Sequence, residues 1–181
     1  MFARAITNQD ALIKELMRVM VGVILLFACS QMSIPLEPVP ISLQTVGLMV
    51  IAVLYDMRSG MSTILTYIGL GVMGLPIFAD YSSGVGVLMR STSGYLLGFI
   101  LCIYVMNTMK AFLNMNTARG IFLNCLIGTL AVFICGIAWL SYLIGFEQAI
   151  IHGLLPFIMP GLIKAVMLTA FLRSLSAVRR I

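Results

Sequence analysis

Apolar residues in this 181-residue chain are gathered into long runs. Six of them, at roughly 15–33, 42–57, 60–76, 91–112, 120–144 and 153–173, approach the ~20 residues that a helix needs to cross a bilayer core. The second and third are short, and the tight polar turn "YDMRSG" separates them. The pattern predicts an all-α bundle of six transmembrane helices, forming a single domain over residues 1–181.

Three breaks between the runs are long and cannot be helix. "SQMSIPLEPVPISLQT" (30–45) contains Pro35, Pro38 and Pro40, which lack backbone donors and force extended chain. "GLPIFADYSSGVGVLMRSTSGY" (74–95) is rich in Gly and Ser, and "GFEQAIIHGLLPFIMPG" (145–161) is the third break. Six crossings place all three on one side. The opposite side then holds Arg4, Lys14, Arg18, Arg58, Lys110, Arg119, Arg173, Arg179 and Arg180, nine of the eleven cations. By the positive-inside rule that side, with both termini, is cytoplasmic. Removing one span would scatter the bias.

Composition agrees. The chain is 61% hydrophobic, and 9% of its residues are charged, too few for a soluble domain of this length. The net charge of +5 reflects membrane topology, so no nucleic acid is expected as a partner, and the bilayer is. The four cysteines, Cys29, Cys102, Cys125 and Cys135, lie in apolar runs without CxxC spacing and read as packing residues. "LLFAC", ending at Cys29, resembles a lipoprotein processing site. Because the chain continues as membrane helices, the first run serves as a span instead.

Two cations lie on the outer side, Arg90 and Lys164. Lys164 is eight residues beyond Pro156, about 12 Å along a helix. The prolines and glycines at 156–161 are expected to break the start of this helix and bring Lys164 towards the mouth of the bundle. A lysine in a spanning segment normally faces a cavity or a partner. No acid lies within one turn of it, and Gly161 and Pro160 leave room beside its ammonium. An outward cap over inward-facing cations suggests an anion site. Arg90 offers a second anion contact, Gln44 an amide at the start of the second span, Asp80 an acid in the second break, and Tyr95 a ring at the start of the fourth span beside Ser91 and Thr92. Each has a plainer alternative: snorkelling for Lys164, an outer-surface charge for Arg90, a helix–helix bond for Gln44, a solvated acid for Asp80 and an interfacial anchor for Tyr95. Gly94 and Gly98 read as helix packing, Trp139 as a belt or packing residue, and His152 as a solvated loop residue.

No catalytic set emerges. The chain has neither HExxH nor GxxxxGK[ST], and a single histidine rules out a histidine metal cluster. An enzyme is not expected, and neither is a cofactor. Active transport would draw on an ATPase in another subunit or on an ion gradient.

Four segments in order, "SIPLEPVPISLQT", "YIGLGVMGLPIFA", "TSGYLLGF" and "LLPFIMPGLIKA", resemble the BioY family over about residues 17–172. Its members are biotin-binding substrate-capture subunits (S-components) of energy-coupling-factor transporters. The resemblance implies a six-helix S-component with biotin held near the outer face beneath the first loop. It places Gln44 at the family's "LQT" glutamine, Tyr95 at the tyrosine ending "GPTGGY" and Lys164 at the lysine of "PGDLIK". Asp80 falls in a ligand-proximal loop.

The chain also departs from the family pattern. Gly161 stands where the family usually has an acid, so Asp80 is the acid left to take over ureido recognition. Arg90 and Ser91 replace Gly and Pro. The first helix shows Gly22, Ala28, Cys29 and Ser30 but no clean Ala-xxx-Ala pair for docking on an energising module.

The expected function is biotin uptake across the bacterial inner membrane, with scaffold and ATPase subunits or as a solitary transporter. Lys164, Gln44, Asp80, Tyr95 and Arg90 would hold the substrate. Two other readings stay open: a transporter for another carboxylated molecule, such as lipoate or a biotin precursor, and a non-transporting membrane scaffold.

Overall fold

A computed structural model describes residues 2–178, with side chains described from Asp10 to Ser174. Arg179, Arg180 and the side chain of Arg4, counted above in the charge bias, lie outside the described residues. Seven helices follow in order: α1 (Phe2–Gln31), α2 (Gln44–Leu54), α3 (Met57–Val72), α4 (Ser93–Met109), α5 (Ala118–Ile144), α6 (Phe146–Gly153) and α7 (Leu155–Val178). Between α1 and α2 the chain forms a small antiparallel hairpin, β1 (Ser33–Ile34) paired with β2 (Ile41–Ser42). Two 3-10 turns, Ala79–Tyr81 and Val85–Met89, join α3 to α4. The three long breaks lie at one end of the bundle, the loop end; the short α2–α3 and α4–α5 connections lie at the other, the turn end.

The stretches Ala118–Ile144 and Phe146–Ser174 are long and apolar enough to cross a membrane. The second expected span, 42–57, is corrected. Here α2 has 11 residues, about 16 Å, which is half a hydrocarbon core. The three prolines forbid helix over the missing half, so the hairpin loop stands there instead. Irregular backbone at membrane depth persists only where it lines a cavity or packs on protein. The short α2 therefore leaves a space above its first residue, Gln44.

The expected break at 156–161 is also corrected. α7 runs unbroken from Leu155 with Pro160 inside it. Pro156 lies in the first turn, where backbone N–H groups have no helical partner to lose. The chain turns instead at Leu154, between α6 and α7. Lys164 therefore stays on a continuous helix, nine residues or about 14 Å from its start. His152 lies in α6 rather than a loop; it is exposed, and its Nε2 is 3.1 Å from Gln148 Oε1.

Packing centres on α4 and α5. A Cβ built on Gly98 would lie 2.8 Å from both the Cα and the carbonyl oxygen of Val132. One on Gly94 would strike Trp139, and one on Gly136 would strike the Tyr95 ring. Glycines thus set the approach of these helices, as close pairs in membranes require. At the turn end, Asp56 caps α3, its Oδ1 accepting from the Ser59 hydroxyl at 2.7 Å. That bond holds its carboxyl below the usual aspartate range. Arg18 of α1 reaches the same carboxylate at 3.3 Å, and Lys110 donates to the Tyr55 carbonyl at 2.6 Å and to Asn107 Oδ1 at 2.9 Å.

Candidate functional site

The space above α2 is a largely apolar cavity of about 270 Å³, near the lower end of small-molecule sites. Pro38 and Pro40 of the hairpin loop roof it, and Met49, Val132 and Phe157 supply apolar walls. All five side chains singled out from the sequence, Gln44, Asp80, Arg90, Tyr95 and Lys164, line it. They come from α2, both 3-10 turns and their borders, α4 and α7, so only the folded bundle assembles them.

Gln44 forms the floor. As the first residue of α2 it is buried, and its Nε2 donates to the Tyr67 hydroxyl at 2.7 Å. That hydroxyl donates onward to the Ile77 carbonyl, also at 2.7 Å. The relay ties α2, α3 and the loop after α3 together and fixes the amide plane. Gln44 Oε1 accepts nothing from a described residue, so it remains an acceptor for a molecule in the cavity.

Lys164 reaches in from α7, half-buried. Its Nζ donates to the Ser42 carbonyl at 2.6 Å and to Thr45 Oγ1 at 3.3 Å. No carboxylate among the described residues pairs with it. Two of the three ammonium donors are thus committed to neutral oxygens, and the charge stays uncompensated beside the cavity. These bonds were not foreseen from the sequence. They add a second task, since Lys164 also pins α7 to the end of the hairpin. Gly161, one turn earlier, lines the same wall without a side chain.

Asp80 and Arg90 stand at the mouth, both exposed. Asp80 has φ +55° and Tyr81 +54°, the left-handed region, where a non-glycine residue costs roughly 1–3 kcal/mol. Asp tolerates this region better than Tyr. The pair is held by Ser33 Oγ, donating to Asp80 Oδ1 at 2.9 Å, and by Gln31 Oε1, accepting from the Tyr81 N–H at 3.3 Å. Asp80 Oδ2 is left to accept from a ligand. The Arg90 carbonyl accepts from Trp139 Nε1 at 3.0 Å, which anchors its backbone while its guanidinium makes no ion pair among the described residues.

Tyr95 is buried, its hydroxyl donating to the Gly153 carbonyl at 2.9 Å. It therefore presents a ring face rather than a free hydroxyl, next to Phe157 at 6.4 Å between centroids. Ser91 Oγ donates to the Pro38 carbonyl at 2.5 Å and fastens the roof to the start of α4.

Tyr67, Thr45, Ser42 and Phe157 were not singled out from the sequence. A tyrosine within the apolar run of α3 was a usable signal for Tyr67. Ser42 acts through its carbonyl, and no side-chain pattern reveals that.

The arrangement offers one uncompensated ammonium, one free amide oxygen, one free carboxylate oxygen and aromatic walls. It suits a small molecule with an anionic end, N–H donors and an apolar frame.

The model of the BioY family matches residues 4–180. A probable biotin transporter of Rickettsia prowazekii is 39% identical over 96% of this chain and 89% of its own length. A biotin transporter of Thermotoga maritima is 33% identical over 84% of this chain and 90% of its own. The crystal structure of the S-component for biotin from an ECF-type ABC transporter superposes with a TM-score of 0.79. It covers 94% of this chain and 93% of that one at 24% identity, a likeness of fold.

Proposed function

Because the chain belongs to the BioY family, we propose that it takes up biotin, binding it in the cavity above α2 and carrying it across the membrane. The observation that carries this reading is the uncompensated Lys164 ammonium beside a largely apolar cavity of about 270 Å³. Biotin is a carboxylate and a ureido ring on an apolar frame. The third Lys164 donor takes the carboxylate in a charge-assisted bond. Gln44 Oε1 and Asp80 Oδ2 accept from the ureido N–H groups, so Asp80 stands in for the acid absent at Gly161. Tyr95 and Phe157 cover the apolar frame, and Arg90 adds positive potential at the mouth.

The chain sits as one transmembrane domain in the bacterial cytoplasmic membrane, with the turn end and both termini inside. Biotin enters from the loop end, and the roof over the cavity has to open: Ser91–Pro38 and Ser33–Asp80 are the bonds to break. No phosphate loop lies in the chain, so separate scaffold and ATPase subunits drive release where the host cell has them.

Binding of labelled biotin to the purified protein, in competition with lipoate and biotin precursors, tests the substrate. Biotin should outcompete both. Displacement by lipoate at equal concentration would transfer the assignment to another carboxylated ligand.

A further inference from the structure

A second cavity lies on the outside of the bundle, between α5 and the α6–α7 corner, and the biotin site does not use it. It is a groove of about 470 Å³, walled by Leu130, Phe133, Ile134, Ala138 and Ser141 on α5 and closed by Phe146 and Leu154. The α5 positions recur at spacings of three and four, so they form one stripe along the helix. Leu130 and Ile134 are 59% and 66% exposed, on a face that meets the surroundings of the protein.

Polarity is ordered along the groove. Its deep end is wholly apolar, and its single polar side chain, Ser141, stands three residues from the end of α5. Ser141 Oγ is buried and has no hydrogen-bond partner. A buried hydroxyl without a partner costs about 1–3 kcal/mol, so an acceptor is expected there. Leu130 to Ser141 is eleven residues, about 16 Å of helix rise, close to half of a ~30 Å hydrocarbon core. Trp139 and Tyr142, with centroids 6.0 Å apart, mark the interfacial level beside Ser141.

We propose that this groove seats one acyl chain of an outer-leaflet glycerophospholipid, whose ester carbonyl accepts the Ser141 hydroxyl. The length of one leaflet, the apolar depth and the lone donor at the ester level fit this occupant together. Phe133 lines both this groove and the biotin cavity, and its ring meets Phe157 at 6.2 Å. The seated chain therefore backs the wall of the substrate site.

Native mass spectrometry of the intact, detergent-purified protein, titrated with dipalmitoyl phosphatidylglycerol and no biotin, tests this. The protein should retain one lipid. Ala138→Phe, which fills the groove, should weaken retention at least tenfold, and Ser141→Ala several-fold. Leu65→Phe, on the exposed side of α3, should leave it unchanged. Equal retention by a folded Ala138→Phe protein overturns the proposal. Should that variant fail to fold, Trp139, the single tryptophan of the chain, provides a second measurement. Its quenching by brominated-chain phosphatidylglycerol should saturate at one lipid per protein; quenching that rises without saturation overturns the proposal equally.

Discussion

Tyr67→Phe deletes one oxygen from the floor of the cavity above α2. Tyr67 is fully buried, and its hydroxyl both accepts from Gln44 Nε2 and donates to the Ile77 carbonyl, each at 2.7 Å. The phenylalanine ring fills nearly the same volume, so packing is preserved; the buried Gln44 amide loses its partner, while the Ile77 carbonyl keeps the Ser30 hydroxyl at 2.8 Å. That one orphaned buried donor costs about 1–3 kcal/mol. For a chain of this length each kcal/mol lowers Tm by about 2–4 °C, so the variant should melt roughly 2–12 °C below wild type in detergent. Biotin affinity should fall as well, because the Gln44 amide is no longer held in plane; a loss of about 1.4 kcal/mol is tenfold. Removing both partners is milder than removing one. Tyr67→Phe with Gln44→Leu should therefore be less destabilised than the sum of the two single changes. Melting of Tyr67→Phe together with wild type, or strict additivity in the double variant, would refute the relay.

Other expectations follow from the packing and the caps. Gly98→Ala places a methyl against the Val132 backbone, which cannot give way as a side chain tip can; overpacking should cost about 1–3 kcal/mol, visible as a lower Tm. Asp56 has a depressed carboxyl pKa, so the stability it contributes is present above its unfolded value of about 3.9 and is lost as pH falls through the lower folded value. Melting curves between neutral and acid pH should show that loss in wild type and not in Asp56→Asn. Asp80→Gly removes a side chain from a left-handed backbone position that glycine adopts freely, so Tm should hold while biotin binding weakens; a lower Tm with unchanged binding would make Asp80 purely structural.

Much of the helical bundle was legible because apolar runs of about membrane length admit few other folds. The charge bias gave the even number of crossings, and proline chemistry located the loops. The same prolines hid the depth of the first loop. A run of apolar residues from 42 onwards reads as a full span, although the chain before Gln44 is hairpin and only half a core thickness of helix follows. Pro156 and Pro160 misled in the other direction: Pro156 falls in the first turn, where proline is tolerated, and the helix runs on through Pro160.

Gln44, Lys164 and Tyr95 stood out as polar or aromatic residues in apolar settings, and Asp80 and Arg90 as charges on the sparsely charged face. Their meeting in one cavity depends on α2, α4 and α7 converging, which pairwise spacing cannot show. The Ser42 carbonyl that holds Lys164, and the left-handed turn at Asp80 and Tyr81, are properties of backbone geometry.

The most direct measurement is calorimetric titration of the detergent-solubilised protein with biotin, run beside Lys164→Ala. Lys164 is the one cation reaching the cavity from α7, and its charge is uncompensated there. Wild type should bind tightly, and the variant at least tenfold more weakly, through loss of a charge-assisted contact. Equal affinity in the two proteins would remove Lys164 from carboxylate recognition, and absence of binding by the folded wild type would contradict biotin as the substrate.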